Sequence, residues 1–210
     1  LVEKLNKELE NKSTQEIIEY FFKNFEKVAL SSSLAAEDQV LTDMMLKEDK
    51  NATIFTLDTG RLHPETYDVM DATNLKYGVK IDVFFPQSEK VQELYQSQGV
   101  NGQYESIENR KNCCGIRKIE PLKRALKGLD VWITGLRAAQ SVTRVHMPLV
   151  EWDEAFGVIK VNPLINWTEL DVWDYIKENK VPYNKLHDQG FPSIGCAPCT
   201  RAVKDGEDIR

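Results

Sequence analysis

Apolar and polar positions follow two different periods along this chain. After the capping-box pattern of Ser13–Glu16, apolar side chains recur at helical spacing over 17–25, which predicts an amphipathic helix packed against a core. Short apolar runs follow at 27–31 and 52–58, and each ends in small or turn-forming residues, which is typical of buried strands. The opening of the chain therefore predicts one helix followed by a series of strands.

Helices are predicted between these strands. One contains Val40 to Met45, a second runs from Pro64 to its C-cap Gly78, and a third runs from Ser88 to Gln98. The predicted strands are 27–31, 52–58, 79–85, 130–134 and 156–161. Strict alternation of strand and helix favours right-handed crossovers, so we expect an α/β fold with a parallel sheet flanked by helices. The last stretch, 181–210, is predicted to be irregular.

Composition and charge narrow the class of protein. The 210 residues, of which 41% are hydrophobic, suit a single domain spanning 1–210. The net charge of −6 argues against a nucleic-acid binder, because a phosphate-binding surface brings an excess of Lys and Arg. No apolar run approaches the roughly 20 residues of a membrane span, and no signal segment opens the chain. We therefore expect a cytoplasmic protein that binds neither nucleic acid nor membrane.

Polar residues at the ends of the predicted strands suggest an anion site. Ser31–Asp38 joins a strand to a helix through small hydroxyl residues, where free backbone N–H groups and the positive helix end meet. Asp58–Arg61 follows the next strand, and ligands of parallel sheets lie beyond the carboxyl ends of the strands. The loop after the fourth strand adds Arg137 and Arg144, whose planar guanidinium groups suit phosphate and sulfate oxygens. Because 31–38 contains no glycine, an ordinary capped turn is the alternative there.

The four cysteines form two groups, Cys113-Cys114 and the C-x-x-C pair of Cys196 and Cys199. Four thiolates complete the ligand set of a zinc ion or an iron–sulfur cluster. Adjacent side chains point about 100° apart on a helix and about 180° apart on a strand, so they reach one small ion with difficulty, whereas a four-iron cubane is wider. Gly115 would permit the local bend that this requires. A cluster is favoured, and structural zinc, disulfides or inert thiols are the alternatives.

The first cysteine pair lies in a basic segment. A helix is predicted from about Asn112 to Lys127, with a kink near Pro121. The basic residues in and just before it are Arg110, Lys111, Arg117, Lys118, Lys123, Arg124 and Lys127. Those nearest the cysteines would offset the charge of a thiolate-bound cluster and favour an anionic substrate beside it.

Four motifs together carry a resemblance to a known family. They are Leu57–Tyr67 (LDTGRLHPETY), Cys113–Lys123 (CCGIRKIEPLK), Ile133–Gly135 (ITG) and Ser193–Thr200 (SIGCAPCT). In this order they resemble the assimilatory adenylyl-sulfate reductases, the iron–sulfur branch of the adenylyl-sulfate and phosphoadenylyl-sulfate reductase family. The likeness extends from Ser13 to Arg210.

The resemblance implies a Rossmann-like, adenine nucleotide alpha hydrolase-like fold and a [4Fe-4S] cluster on Cys113, Cys114, Cys196 and Cys199. It implies reduction of adenosine 5′-phosphosulfate to sulfite and AMP in sulfate assimilation and cysteine biosynthesis. In that family a C-terminal cysteine attacks the sulfate sulfur and forms S-sulfocysteine, and thioredoxin or a glutaredoxin-like dithiol releases sulfite. A homo-oligomer is also expected.

Residue roles follow from the same resemblance. Lys118 would lie between cluster and substrate, Arg144 would clamp the sulfate, and Arg210 would close over it. Substrate-binding roles are expected for Ser32, Ser33, Glu37, Asp38, Leu57, Thr59, Gly60, Arg61 and Arg137. The histidines are expected in loops or caps rather than in catalysis; they are His63, His146 and His187.

The sequence departs from the family pattern in two places. Relatives usually have a Ser-x-Ser-Gly-like phosphate loop, whereas here Leu34 and Ala35 replace the small hydroxyl residue and the glycine. In addition, if all four cysteines hold the cluster, no cysteine of the sequence is left to act as the nucleophile. We therefore expect a redox-active tail beyond Arg210.

Three other functions compete with this reading. The same reaction on 3′-phosphoadenylyl sulfate is the nearest. An ATP-pyrophosphatase-like enzyme that inserts sulfur into tRNA would share the fold, but the acidic balance and the lack of a Ser-Gly-Gly loop count against it. The third is a non-catalytic nucleotide-binding domain whose fold is stabilised by a structural zinc ion. An anaerobically purified cluster protein is brown, whereas a zinc protein is colourless.

Overall fold

A computed structural model describes residues 1–140 and 146–204. The helices are α1 (Val2–Leu9), α2 (Thr14–Asn24), α3 (Ala36–Glu48), α4 (Pro64–Tyr77), α5 (Ser88–Gln98), α6 (Ile107–Cys114), α7 (Glu120–Leu126) and α8 (Glu169–Glu178). The strands are β1 (Val28–Ser31), β2 (Thr53–Leu57), β3 (Asp82–Phe84), β4 (Val131–Ile133), β5 (Val150–Asp153) and β6 (Val158–Val161). The alternation of strand and helix is as predicted.

The strands form one sheet in the order β3-β2-β1-β4-β6-β5. Every neighbouring pair is parallel except β5 and β6, which are antiparallel. The predicted α/β fold is therefore confirmed. The sequence pattern did not predict β5, and it did not predict α1. These two elements contact each other, since the side-chain amide of Asn6 donates to the carbonyl of Val150 at 2.7 Å and accepts from its N–H at 3.0 Å.

The two faces of the sheet are covered differently. One face carries Leu30, Ile54 and Ile133, and it belongs to a large buried cluster that includes residues of α1, α2, α3, α4 and α8. The other face carries Ala29, Phe55 and Trp132, which pack with residues of α7 in a smaller cluster. Successive side chains of a strand point to opposite faces, so each strand contributes to both clusters.

The basic segment after position 106 differs from the single helix predicted for 112–127. Helix α6 ends at Cys114, a π-helical turn spans Gly115–Ile119, and α7 then begins at Glu120 with Pro121 in its first turn. Pro121, which has no N–H to donate, lies just after the π-helical turn. The change of helix type, rather than a proline kink, lies directly after the two cysteines. Gly115 has ordinary right-handed torsions, with φ −56°.

Residues 180–204 contain only two short 3-10 turns, at Lys185–Gln189 and Ala197–Cys199, as predicted for an irregular segment. This segment returns to the sheet, where the N–H of Ala197 donates to the carbonyl of Arg61 at 2.8 Å. The remote cysteine pair is thereby brought to the carboxyl edge of the strands. Among the described helices, none combines the length and apolarity needed to cross a membrane.

Candidate functional site

A cavity of about 590 Å³ opens at the carboxyl edge of the sheet. Its lining includes Ser31, Ser32, Ser33, Glu37, Asp38, Leu57, Thr59, Lys118, Leu122, Trp132, Gly135, Gln140, Lys160 and Cys196. Another cavity, of about 670 Å³, lies beside α1, α2 and Trp167, and its lining contains none of the predicted site residues. We assign the site to the first cavity because ligands of parallel sheets bind at this edge.

The loop between β1 and α3 is held by its own side chains. Both the N–H and the hydroxyl of Ser33 donate to Asp38 Oδ2 at 2.6 Å, and the N–H of Leu34 donates to Ser32 Oγ at 3.1 Å. Leu34 is left-handed, with φ 62°, and is buried. Glycine is the residue best suited to that conformation. Leu34, one of the two departures from the family's loop pattern, therefore has a strained backbone.

Asp38 is turned into this loop. Burial raises its pKa to about 6, although the hydrogen bonds from Ser33 oppose that shift. Its Oδ1 lies only 2.2 Å from where a Cβ would stand at Gly135. Position 135 therefore has no room for a side chain, and Asp38 connects the β1–α3 loop to the loop after β4.

Glu37 and Arg137 form a buried ion pair. Arg137 Nη2 and Nε lie 2.8 Å and 2.9 Å from Glu37 Oε1, which also accepts from Gln140 Nε2 at 2.8 Å. Arg137 further donates to the carbonyl of Trp167 at 3.4 Å, and its side chain is absent from the cavity lining. The structure thus places Arg137 where it fixes the loop after β4. The substrate contact predicted for Arg137 stays a prediction.

Side-chain hydrogen bonds also hold the 57–61 segment. Asp58 Oδ1 accepts from the N–H of Gly60 at 2.7 Å, and Asp58 Oδ2 accepts from the hydroxyl of Tyr67 at 2.9 Å. Leu57 and Thr59 line the cavity, whereas Gly60 and Arg61 do not. The Arg61 guanidinium donates to the carbonyl of Val100 at 2.7 Å instead. Of the four residues predicted here, the structure brings two into contact with the cavity.

The four cysteines are all free thiols. Cys196 is buried and its sulfur lies 3.2 Å from Thr59 Oγ1, whereas Cys199 is exposed. Burial raises the pKa of Cys113; the Arg117 guanidinium opposes this, and Cys114 and Cys196 add to it. The Cys113 sulfur is therefore within electrostatic reach of the Cys114 and Cys196 sulfurs. In the described chain, however, no three or more Cys, His, Asp or Glu residues are arranged to hold a single metal ion.

Arg117 was not predicted as a site residue. Its side chain is 3% exposed, Nη1 donates to the carbonyl of Thr59 at 2.6 Å, and the guanidinium lies 5.2 Å from the ring centroid of Tyr95. Nε and Nη2 find no hydrogen-bond partner among the described residues. A buried cation with two unused donors beside Cys113 fits an anionic, thiolate-bound group. Its position next to the double cysteine was the sequence signal that could have identified it.

Two lysines line the cavity, Lys118 and Lys160. Lys118 Nζ lies 4.0 Å from the position of a Cβ at Gly195. No hydrogen bond or ion pair engages Lys118 within the described ranges. Lys160, which the sequence did not single out, is paired with Glu151 at 2.9 Å. Arg144 and Arg210, the other predicted catalytic residues, lie outside the described residues.

His187 caps the start of α3. Its Nε2 accepts from the N–H of Ala36 at 3.3 Å, and Nδ1 lies 2.8 Å from the carbonyl of Phe191. Burial lowers the pKa of His187, which favours the neutral ring that this acceptor role requires. The expectation of a capping role for a histidine is confirmed at this residue.

The sheet order, the cavity at its carboxyl edge and the strand–loop–helix at Ser31–Ala36 define a nucleotide-binding α/β enzyme of the adenine nucleotide alpha hydrolase-like class. Comparison of the fold agrees. FMN adenylyltransferase from Candida glabrata superimposes with a TM-score of 0.63 at 14% identity, over 91% of this chain and 62% of that one. At this identity the likeness concerns the fold alone.

Closer relatives give the family. The phosphoadenosine phosphosulfate reductase domain matches residues 27–202. Adenosine 5′-phosphosulfate reductase from Allochromatium vinosum is 47% identical over 93% of this chain and 76% of its own length. That from Burkholderia cepacia is 51% identical over 88% of this chain and 74% of its own.

A solved structure agrees with these relatives. Phosphoadenylyl-sulfate reductase from Candida auris, in a phosphate complex, has a TM-score of 0.82 at 31% identity, over 95% of this chain and 96% of that one. The chain belongs to the phosphoadenosine phosphosulfate reductase family and is an oxidoreductase.

Proposed function

We propose that this protein reduces adenosine 5′-phosphosulfate to sulfite and AMP in sulfate assimilation. The observation that carries the proposal is the unpaired Lys118, which lines a nucleotide-sized cavity together with Cys196 and the β1–α3 loop. A lysine with no partner in the described chain is available to an anionic ligand. Relatives named adenosine 5′-phosphosulfate reductase, at 47% and 51% identity, support the choice of substrate.

The two ends of the cavity suit the two ends of this nucleotide. Ser32 and Ser33 line the cavity in the loop before α3, the Ser32 hydroxyl can donate to the phosphosulfate, and Lys118 adds a full charge. Leu57, Leu122 and the ring of Trp132 supply an apolar wall for the adenosine. We propose that Arg144 and Arg210 complete the sulfate site.

The reaction proposed is nucleophilic displacement at sulfur. A cysteine thiolate attacks the sulfate sulfur, an S–S bond forms, the S–O bond to the phosphate breaks, and AMP leaves. A dithiol protein such as thioredoxin or a glutaredoxin then attacks the cysteine sulfur, supplies two electrons and releases sulfite. Lys118 would offset the negative oxygens as the thiolate approaches. We place this cysteine in a redox-active tail beyond Arg210, outside the single domain of 1–210.

A [4Fe-4S] cluster is proposed on Cys113, Cys114, Cys196 and Cys199. The unused donors of the buried Arg117 and the electrostatic influence of Cys114 and Cys196 on Cys113 support an anionic group there. Bound, it would supply a structural and electrostatic centre that orients Lys118, while the dithiol supplies the electrons. Cytoplasmic localisation and a homo-oligomeric state are part of the same proposal.

Reduction of 3′-phosphoadenylyl sulfate is the second candidate. The specific observation in its favour is the likeness to the Candida auris phosphoadenylyl-sulfate reductase, at a TM-score of 0.82. Rates of sulfite release from the two nucleotides, measured side by side, separate the candidates.

The decisive experiment uses the full-length protein with a dithiol donor and measures sulfite release. We expect Lys118→Ala to lower kcat/KM at least tenfold, because one preorganised charge facing the reacting group is lost. Lys123→Ala, on the exposed side of α7, is the matched control and should retain wild-type rates. If neither nucleotide yields sulfite, the proposed function is wrong. Equal rates in the two variants would remove Lys118 from the mechanism.

A further inference from the structure

A small cavity lies beside Cys113 and is separate from the nucleotide cavity. Its lining includes Tyr95, Gln98, Gln103, Cys113 and Arg117, none of which lines the nucleotide cavity. The small cavity is too narrow to hold a water molecule. A buried polar atom that faces it must therefore pair with the protein itself or with a group that the protein binds.

Unpaired hydrogen-bond donors collect around this cavity. Gln103 Nε2 and the Nε and Nη2 atoms of Arg117 are buried, and none of them has a partner within the described part of the chain. Gln98 Oε1 is a buried acceptor of the same lining, but it bonds to none of these donors. Buried donors are costly to leave unpaired. Cys113, whose sulfur is a strong acceptor once it is ionised, belongs to the same lining.

The orientation of the Gln103 amide is fixed by Arg61. Arg61 Nη1 donates to Gln103 Oε1 at 3.4 Å, and Arg61 Nη2 donates to Asn101 Oδ1 at 2.9 Å. A guanidinium group can only donate, so the amide oxygen of Gln103 must face Arg61 and the amide nitrogen must face away from it. Gln103 is 7% exposed, so water does not offer this nitrogen another partner. The Gln103 side chain is therefore set to donate at the small cavity.

The loop that carries Gln103 is attached to both groups of cysteines. The side-chain amide of Asn109 donates to the carbonyl of Gly102 at 3.1 Å, which connects the loop to α6, the helix that ends in the double cysteine. The hydroxyl of Tyr104 donates to the carbonyl of Pro198, in the middle of the C-x-x-C pair. The residues on either side of Gln103 thus hold the loop against both groups.

We infer that Gln103 is a positioning residue for the proposed cluster and that its side-chain N–H donates to the sulfur of Cys113. This inference rests on the proposed function, because it assumes that Cys113 is a cluster ligand. Arg117 supplies a charge at the same cavity, and Gln103 adds a neutral donor whose direction is fixed by Arg61. Hydrogen bonds to ligand sulfurs set the electron density on them and the reduction potential of a cluster.

The test uses the full-length protein purified without oxygen. Gln103→Met keeps the length of the side chain and removes the donor, so the Cys113 sulfur should become richer in electrons. We expect the Fe–S stretching bands in resonance Raman spectra to move to higher wavenumber, and iron to be lost about tenfold faster in air. Gln103→Glu keeps the shape and places a carboxylate beside the sulfur, so it should lose iron faster still. This second variant tests the inference if the methionine variant does not fold.

Gln98→Met is the matched control. It removes an amide from the same cavity wall, but the buried atom of the Gln98 amide is an acceptor rather than a donor. Its Raman bands and its rate of iron loss should equal those of the wild type. Unchanged bands and rates in both Gln103 variants overturn the inference, and so does a band shift in Gln98→Met as large as that in Gln103→Met. If the wild type contains no iron and sulfide, the proposed cluster itself is wrong.

Discussion

Thr59 and Cys196, 137 positions apart in the chain, are in direct contact, with Thr59 Oγ1 3.2 Å from Cys196 Sγ. The contact joins the segment after β2 to the irregular C-terminal part of the protein. Thr59 is 1% exposed and Cys196 is 8% exposed, so water does not compete for either group. The loop that lines the nucleotide cavity is thereby connected to one of the four cysteines.

Replacing Thr59 should weaken retention of the proposed cluster. Thr59→Val keeps the branched shape and removes the hydroxyl, so the Cys196 thiolate loses its nearest donor. We expect the Thr59→Val variant to lose iron several-fold faster in air than the wild type. Iron and sulfide analysis at successive times measures this loss. Thr53→Val, at the exposed start of β2, is the control and should match the wild type. Equal rates of iron loss for the two variants would contradict the prediction.

Asp43 should be a determinant of stability. Its buried carboxylate accepts from Tyr77 at 2.6 Å and Tyr175 at 2.7 Å, and it pairs with Lys47 at 2.7 Å. These contacts connect α3, α4 and α8. Asp43→Asn should lower the free energy of unfolding by about 2–3 kcal/mol at pH 7, because a buried charged network loses its acceptor. Urea denaturation measures the change.

The pH dependence of this effect has a definite sign. Burial alone would raise the pKa of Asp43, but the donors from Lys47, Tyr77 and Tyr175 outweigh it, and the pKa is lowered. The stabilisation is therefore complete above the unfolded pKa of about 3.9 and is lost as the pH falls through the folded value. The difference in unfolding free energy between the wild type and Asp43→Asn should begin to shrink below about pH 4 and should be lost only below the folded pKa of Asp43. Asp174→Asn, on the exposed side of α8, should show no difference at any pH.

Gly135→Ala should disturb the nucleotide cavity. The added Cβ would stand 2.2 Å from Asp38 Oδ1 and 3.1 Å from Glu37 Cβ, and Asp38 is held in place by Ser33. We expect a loss of about 2 kcal/mol in unfolding free energy and at least tenfold weaker AMP binding, because the overpacked loops must separate.

Gly115→Ala serves as the comparison for this variant. A Cβ at position 115 meets nothing within 4 Å and its φ of −56° suits alanine, so stability should be unchanged or slightly higher. Wild-type AMP binding by Gly135→Ala, measured by calorimetry, would show that the contact with Asp38 is unimportant.

Local patterns were sufficient for most of the fold. Helix and strand periods are properties of short windows, so the order of elements, the capping box of α2 and the C-cap of α4 at Gly78 could be predicted. Strand β5 could not, because it is stabilised by antiparallel pairing with β6 and by Asn6, 144 positions away. Edge strands of this kind depend on contacts that leave no local period.

The site shows the same division. The sequence by itself determined which residue types are present: four cysteines, small hydroxyl residues after β1 and basic residues around Cys113 and Cys114. Only the tertiary structure decided how each charge is used. Arg137 is paired with Glu37, Lys160 with Glu151, and Lys118 with none of the described residues, because partners distant in sequence meet only when the sheet forms. Electrostatic pairing depends on distance in space, which the order of residues does not record.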